Sequence, residues 1–241
     1  MTKVDPEVEA LAQQRLAAEE SRLTGARRAQ VSLGTTAREF WRHPSPWMIS
    51  ATLVGALGWR IDEADWRLSD LLAPVLLVAF FPVLEWLIHV FILHWRPRKV
   101  AGVPIDTELA RDHRRHHADP RDIPLVFIPW RSLIAVIAGE VAIGLFAFPR
   151  LGQGLTWILA VAVTGLAYEW THYLIHSDYR PRSSAYKAVW RNHRLHHYKN
   201  EHYWFTVTTT STADRLFGTY PDPGSVKTSG TAKDLHGASG G

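Results

Sequence analysis

Cysteine is absent from the 241-residue chain. That excludes disulfides, thiolate metal sites and a cysteine nucleophile, and leaves the redox compartment open. Any metal must be held by histidine, aspartate or glutamate. Methionine is scarce, with two residues, and lysine with six against 21 arginines. Residues 5–42 are charged and helix-favouring and lack the apolar core of a secretory signal, so a surface helix is expected there. No repeat is present, and the Gly/Ser/Thr-rich composition from 224 onward predicts disorder. The expected division is a polar helical segment over 1–45, a membrane-embedded domain over 46–222 and a disordered tail over 223–241.

The mean hydropathy of −0.10 conceals four apolar blocks. They are "PWMISATLVGALGW" (46–59), "LLAPVLLVAFFPVLEWLIHVFILHW" (71–95), "PLVFIPWRSLIAVIAGEVAIGLFAF" (124–148) and "LTWILAVAVTGLAYEWTHYLIH" (155–176). The first is short, but the second easily reaches the roughly 20 residues that cross a bilayer. Eleven tryptophans and nine phenylalanines fit rings seated at membrane interfaces. The fold expected is all-α and integral to a membrane, with four transmembrane helices in two hairpins and a histidine-rich helical cap. Basic residues orient it. The 96–121 loop carries Arg96, Arg98, Lys99, Arg111, Arg114, Arg115 and Arg121, whereas the opposite turns carry Arg60, Arg67 and Arg150. By the positive-inside rule both termini and the histidine cap face the cytoplasm. The arginine-rich composition points to a bacterial inner membrane. Since the membrane accounts for these charges, no nucleic-acid partner is expected.

Ten of the thirteen histidines fall on that one side: His89 and His94, His113, His116 and His117, His172 and His176, His193, His196 and His197. Positions i, i+3 and i+4 lie within about a 100° arc on a helix, so each H-x-x-H-H presents three imidazoles to one face. His172 and His176 share a face too. His89 and His94, at i and i+5, stand about 140° apart on an ideal helix, so they serve different ions or the helix end is distorted. Ten imidazoles exceed what one ion can take; two ions with about five nitrogens each is the natural partition. Such a nitrogen set suits iron, copper or zinc. Glu85 and Glu169 are placed to accept a second ring N–H from a ligand and fix its tautomer. Glu140, mid-span, must face other helices or be protonated. His43 and His236 lack matching partners, and His202 is left unassigned. Arg114, Arg115, Arg191 and Arg194, interleaved with the histidines, either attract an anionic headgroup or donor or simply follow the positive-inside bias.

In this order around two hairpins, the boxes H-x4-H, H-x2-H-H, H-x3-H and H-x2-H-H resemble those of the integral-membrane fatty acid hydroxylase and sterol desaturase superfamily. "HHADPRDIPLVFIP", "YEWTHYLIH", "HHYKN" and "DRLFGT" are similar to stretches of the fatty acid 2-hydroxylases, and the likeness runs from about 74 to 220. The resemblance implies that the ten histidines hold two iron ions, with zinc able to occupy them in purified relatives. It implies O2 as co-substrate and hydroxylation of a fatty acyl or related lipid C–H bond. Tyr168 and Glu169 match a Tyr-Asp pair near the family's centre, with Glu in place of Asp, and take a catalytic role by that match. The stretch "HYWFTVTTTSTAD" departs from the 2-hydroxylase pattern, which puts the substrate in doubt. No cytochrome b5 domain is fused, so a separate electron donor of ferredoxin or cytochrome b5 type is implied. A desaturase or ring-lipid hydroxylase of the same superfamily, or a non-catalytic metal-binding membrane protein, is the alternative.

Overall fold

The structure is a computed structural model and describes residues 31–236. The surface helix expected over 5–42 therefore lies mostly outside the described residues. Its end is α1 (Leu33–Phe40), opened by Ser32, whose hydroxyl accepts the Thr35 N–H at 3.1 Å. α2 (Pro44–Glu63) starts on proline, already set for the first helical turn. α3 (Leu72–Ile88) follows a 3-10 turn at Leu68–Leu71 and runs into a π-helical turn, His89–Leu93. α4 (Glu108–Ala118), α5 (Trp130–Phe146), α6 (Leu151–His176), α7 (Ser184–Tyr198) and the short α8 (Thr212–Leu216) complete the helices.

The chain is mostly helical, but not purely so. β1 (Arg98–Val100) and β2 (Val103–Ile105) form an antiparallel ribbon in the basic loop, with Arg98 opposite Ile105. Ala101 and Gly102, both at positive φ, make the two-residue turn such ribbons favour.

α6 is the central helix. α2, α5 and α3 all pack on it, so α2 and α3 find their main neighbour in α6 rather than in each other. The expected first hairpin is thus a sequential connection more than a packed pair. α5 and α6 do form a tight hairpin: a Cβ on Gly154 would stand 1.6 Å from the Gly144 carbonyl oxygen, so only glycine lets the two backbones approach this closely.

At this turn the bundle end is closed by charge. Arg60, fully buried, donates to Asp70 at 2.9 Å and to Asp65 at 3.3 Å; Arg150 donates to Asp70 at 2.8 Å and to Asp65 at 2.6 Å. The Arg60 guanidinium also lies 3.7 Å over the Trp66 ring. Among the described residues three helical stretches are long and apolar enough to cross a membrane: Leu68–Leu93, Ile123–Phe146 and Leu151–His176. α2 is not one of them; Arg60, Asp62 and Glu63 crowd its last turn. Outward positions of α3 such as Leu72, Val75, Val78 and Phe80 are exposed apolar groups, as on a helix facing lipid.

The tail also departs from expectation. Instead of straying into solvent, the chain from Pro223 to His236 lies on the protein, burying Ala232 and Leu235. Two apolar anchors and a set of hydroxyl hydrogen bonds supply what its bulk composition hid.

Candidate metal centre

The antiparallel helices bring the ten histidines to the end opposite the Arg60–Asp70 network, where they form two groups of five. His89, His94, His113, His117 and His196 make the first; His116, His172, His176, His193 and His197 make the second. Within each group one nitrogen per ring lies within 4.8 Å of all the others. Nine of the ten rings are buried, and His94 is partly so.

Each H-x-x-H-H box is shared between the groups. On α4, His113 and His117, one turn apart, enter the first group and His116 turns to the second. On α7, His193 and His197 enter the second and His196 turns to the first. The three imidazoles of a box therefore do not serve one ion as a block; an i, i+4 pair goes one way and the middle ring the other. The two groups are consequently built alike, each from two same-helix pairs and one ring lent by the box of the other.

The His89–His94 spacing finds its explanation in the π-turn. His94 N–H donates to the His89 carbonyl at 3.0 Å, an i to i+5 bond that widens the turn. Positions five apart then align, and both rings join the first group, with centroids 4.9 Å apart.

The orientation of the rings is set mainly by backbone carbonyls. His196 Nδ1 donates to the Tyr203 carbonyl at 2.8 Å, His89 Nδ1 to that of Phe205, and His117 Nδ1 to that of Ala232 at 3.0 Å. A proton held on Nδ1 leaves the Nε2 lone pair directed into the group. The loop supplying the first two carbonyls is strained and strapped. Trp204, fully buried, stands between them at φ 56°, a left-handed conformation that bulky residues avoid. Buried Asp214 accepts the Phe205 N–H at 2.8 Å, the Thr206 N–H at 3.0 Å and the hydroxyls of Thr206 and Thr219.

Glu85, expected to accept from a ligand ring, instead accepts the N–H groups of Val207 and Thr208 at 3.0 and 2.8 Å, and the Thr208 hydroxyl. It steadies the same loop from the other side. Glu169 takes the Ile128 N–H at 2.9 Å and the Ser45 hydroxyl at 3.1 Å, tying α2 and the start of α5 to α6. Tyr168 tilts its ring at 37° to that of His172, with centroids 5.7 Å apart. It lines a small pocket, about 40 Å3, that touches His113 of the first group and His172 of the second; its other walls are mostly apolar, Leu93, Leu125 and Phe127 among them, with Asp112 the one acidic residue.

Elsewhere Glu140 accepts from Trp157 Nε1 at 3.1 Å, an interhelix contact. His43 stacks on Phe127, and exposed His202 lies 3.6 Å from Glu201. His236 donates to the His94 carbonyl at 2.9 Å. Arg114 is held by Asp106 and Arg115 by Asp112.

The donor set fits a pair of transition-metal ions. Nine buried ring nitrogens, on His89, His113, His116, His117, His172, His193 and His197, have no hydrogen-bond partner in the protein. Buried polar atoms are normally satisfied, so this concentration of orphans is what a histidine-lined metal site would leave, each ring being able to offer one nitrogen to an ion. His176 and His193 bring their Nε2 atoms to 3.0 Å, His193 and His197 likewise, and His94 and His196 to 3.2 Å. Two nitrogens each about 2.1 Å from one ion at a right angle would stand about 3.0 Å apart. Electrostatics agree. Burial, reinforced by neighbouring rings, holds His113, His116, His117, His193 and His197 well below the ordinary imidazole range, and burial holds His196 down to about 4. Neutral imidazole is the form that ligates.

Sequence reasoning found the histidines but not the groups that aim them. Asp214 sits in "DRLFGT", yet nothing in that string shows that its carboxylate is buried. Carbonyl acceptors carry no side-chain signal at all.

The fatty acid hydroxylase family model matches residues 74–219, a region holding all ten histidines. No curated protein matches the chain. Among solved structures, the one described as "Full length scs7p (only hydroxylase domain visible)" is similar in fold, with a TM-score of 0.61 and 20% sequence identity over 77% of this chain and 68% of that one. With more than half its length inside the family match, the chain belongs to the fatty acid hydroxylase family.

Proposed function

We propose that the chain is a membrane-embedded oxygenase that hydroxylates a C–H bond of a fatty acyl or related lipid at a histidine-held di-iron centre. Four helices span the bilayer in this reading, α2 being the fourth, and the histidine end faces the cytoplasm. The observation that carries it is the pair of five-histidine groups with their unpartnered buried nitrogens.

When bound, two irons would supply the oxidising chemistry, taking O2 and two electrons from a separate donor of ferredoxin or cytochrome b5 type. The first group would hold one ion and the second the other. The chain's residues do the positioning. Leu93, Leu125 and Phe127 give the small pocket an apolar wall suited to a hydrocarbon segment. His113 and His172, lining it from the two groups, place that segment beside both sites. Tyr168, on the same wall, restricts how the chain can lie. Burial of the imidazoles excludes bulk water from the reacting region.

The test compares total lipids by mass spectrometry from a bacterial host expressing the chain, or its His196→Ala variant, with iron and a matched redox donor. A lipid gaining one oxygen only with the parent chain is the expected result, and fragmentation locates the carbon. Loss of two hydrogens would instead identify a desaturase. No difference, with iron loading confirmed, would leave a metal-binding protein without this activity.

A further inference from the structure

The segment after the family match contacts the first histidine group directly. We propose that Ser229–His236 is a positioning segment that sets the metal affinity of that group; the inference rests on the reading of the two groups as metal sites.

Two contacts reach that group. The Ala232 carbonyl takes the Nδ1 proton of His117 at 3.0 Å, which commits Nε2 of that ring, buried and otherwise without a partner, to the group. His236 donates to the carbonyl of His94, the residue that ends the π-turn, at 2.9 Å. One short segment therefore touches two of the five rings' residues, one on each same-helix pair.

It is also built to stay in place. Leu235 is 1% exposed and Ala232 3%. Ser229 N–H donates to the Lys199 carbonyl at 2.7 Å, just beyond the last histidine box. The hydroxyls of Ser229 and Thr231 both donate to one oxygen of buried Glu201, and the Lys233 ammonium lies 4.1 Å over the Tyr198 ring. Covering the protein would not by itself require the His236 ring to donate to the backbone of a ligand. Among the described residues its hydrogen bonds to the histidines go to the first group, while Lys233 reaches His116 of the second only through its charge, so the larger effect falls on the first site.

Outer hydrogen-bond partners of metal-ligating histidines typically contribute about 10–100-fold to metal affinity. The experiment titrates cobalt(II), alone, into the metal-free full chain in detergent and into a chain ending at Thr228, following the visible ligand-field bands. The full chain is expected to take two ions. The shortened chain is expected to keep one with little change in affinity and to bind the other about 10–100-fold more weakly. Two ions bound as in the full chain would overturn the proposal. If the shortened chain fails to fold, Ser229→Ala with Thr231→Val, which frees the segment from Glu201, decides in the same way: weakening at one site supports it, and unchanged binding overturns it. His236→Gln, whose amide still donates toward the His94 carbonyl, should restore what His236→Ala loses. A full chain that takes no cobalt would refute the metal reading itself, an outcome distinct from two sites indifferent to the segment.

Discussion

Both ends of the helical bundle bury groups that water would otherwise solvate, but they dispose of them in opposite ways. At one end Arg60, Asp65, Asp70 and Arg150 satisfy one another, with each charge facing its opposite. At the other, ten imidazoles meet, and nine of their buried nitrogens find nothing in the protein to bond. A buried network that closes on itself holds helices together. One left open, with its rings aimed inward by backbone carbonyls, is arranged for something the chain does not itself contain.

The closed end should yield the largest stability effect. Asp70→Ala takes from fully buried Arg60 its nearer carboxylate, leaving it only the longer contact to Asp65 at 3.3 Å, and takes from Arg150 one of its two carboxylates. Breaking a buried pair in this way typically costs about 3–5 kcal/mol. Denaturant or thermal unfolding in detergent should show a loss of that size, while the metal stoichiometry of the fraction still folded stays at that of the parent. A loss of metal in step with stability would mean that the two ends are not independent.

The open end should instead be exposed by acid. In the unfolded chain an imidazole takes up a proton near pH 6.5. In the folded, metal-free chain burial keeps His196 neutral down to about 4. Between those values the unfolded state binds more protons, so stability is fully present above about pH 6.5 and is lost as the pH falls toward 4. Going from pH 7 to 5 should cost on the order of 2 kcal/mol through His196 alone. His113, His116, His117, His193 and His197 are displaced in the same direction. Thermal midpoints of chelator-treated protein across that range check it, and a flat profile would show that the rings are hydrated.

This contrast was only half legible in the sequence. The histidines could be assigned to one end because hydropathy fixes the blocks and spacing fixes helix faces. The partition of each box between two groups could not, since it depends on how α4 and α7 are rotated against each other. The His89–His94 spacing left two readings open, and only the hydrogen bond from His94 to the His89 carbonyl chooses the π-turn. Arg60 and Arg150 were visible only as sparse basic residues; that they meet Asp65 and Asp70 is a tertiary fact. Composition misread the tail, because a few anchors such as Leu235 outweigh many small polar neighbours.

The smallest effect expected is also the most selective. Asp214 bonds no histidine, yet it holds the N–H groups on the far side of the loop whose carbonyls aim His196 and His89. All four of its hydrogen bonds are accepted ones. In Asp214→Asn an amide NH2 must point at donors, whichever way it is flipped, so part of the loop loses its tether while the volume is conserved. Trp204, held in a left-handed conformation, then has reason to relax. Both carbonyls belong to the first group, so metal affinity should fall about 10–100-fold there and stay unchanged in the second. Metal titration of the variant resolves the two sites. Equal weakening of both would mean that Asp214 supports the whole histidine end, and the distinction between a closed structural network and an open functional one would fail at the residue that joins them.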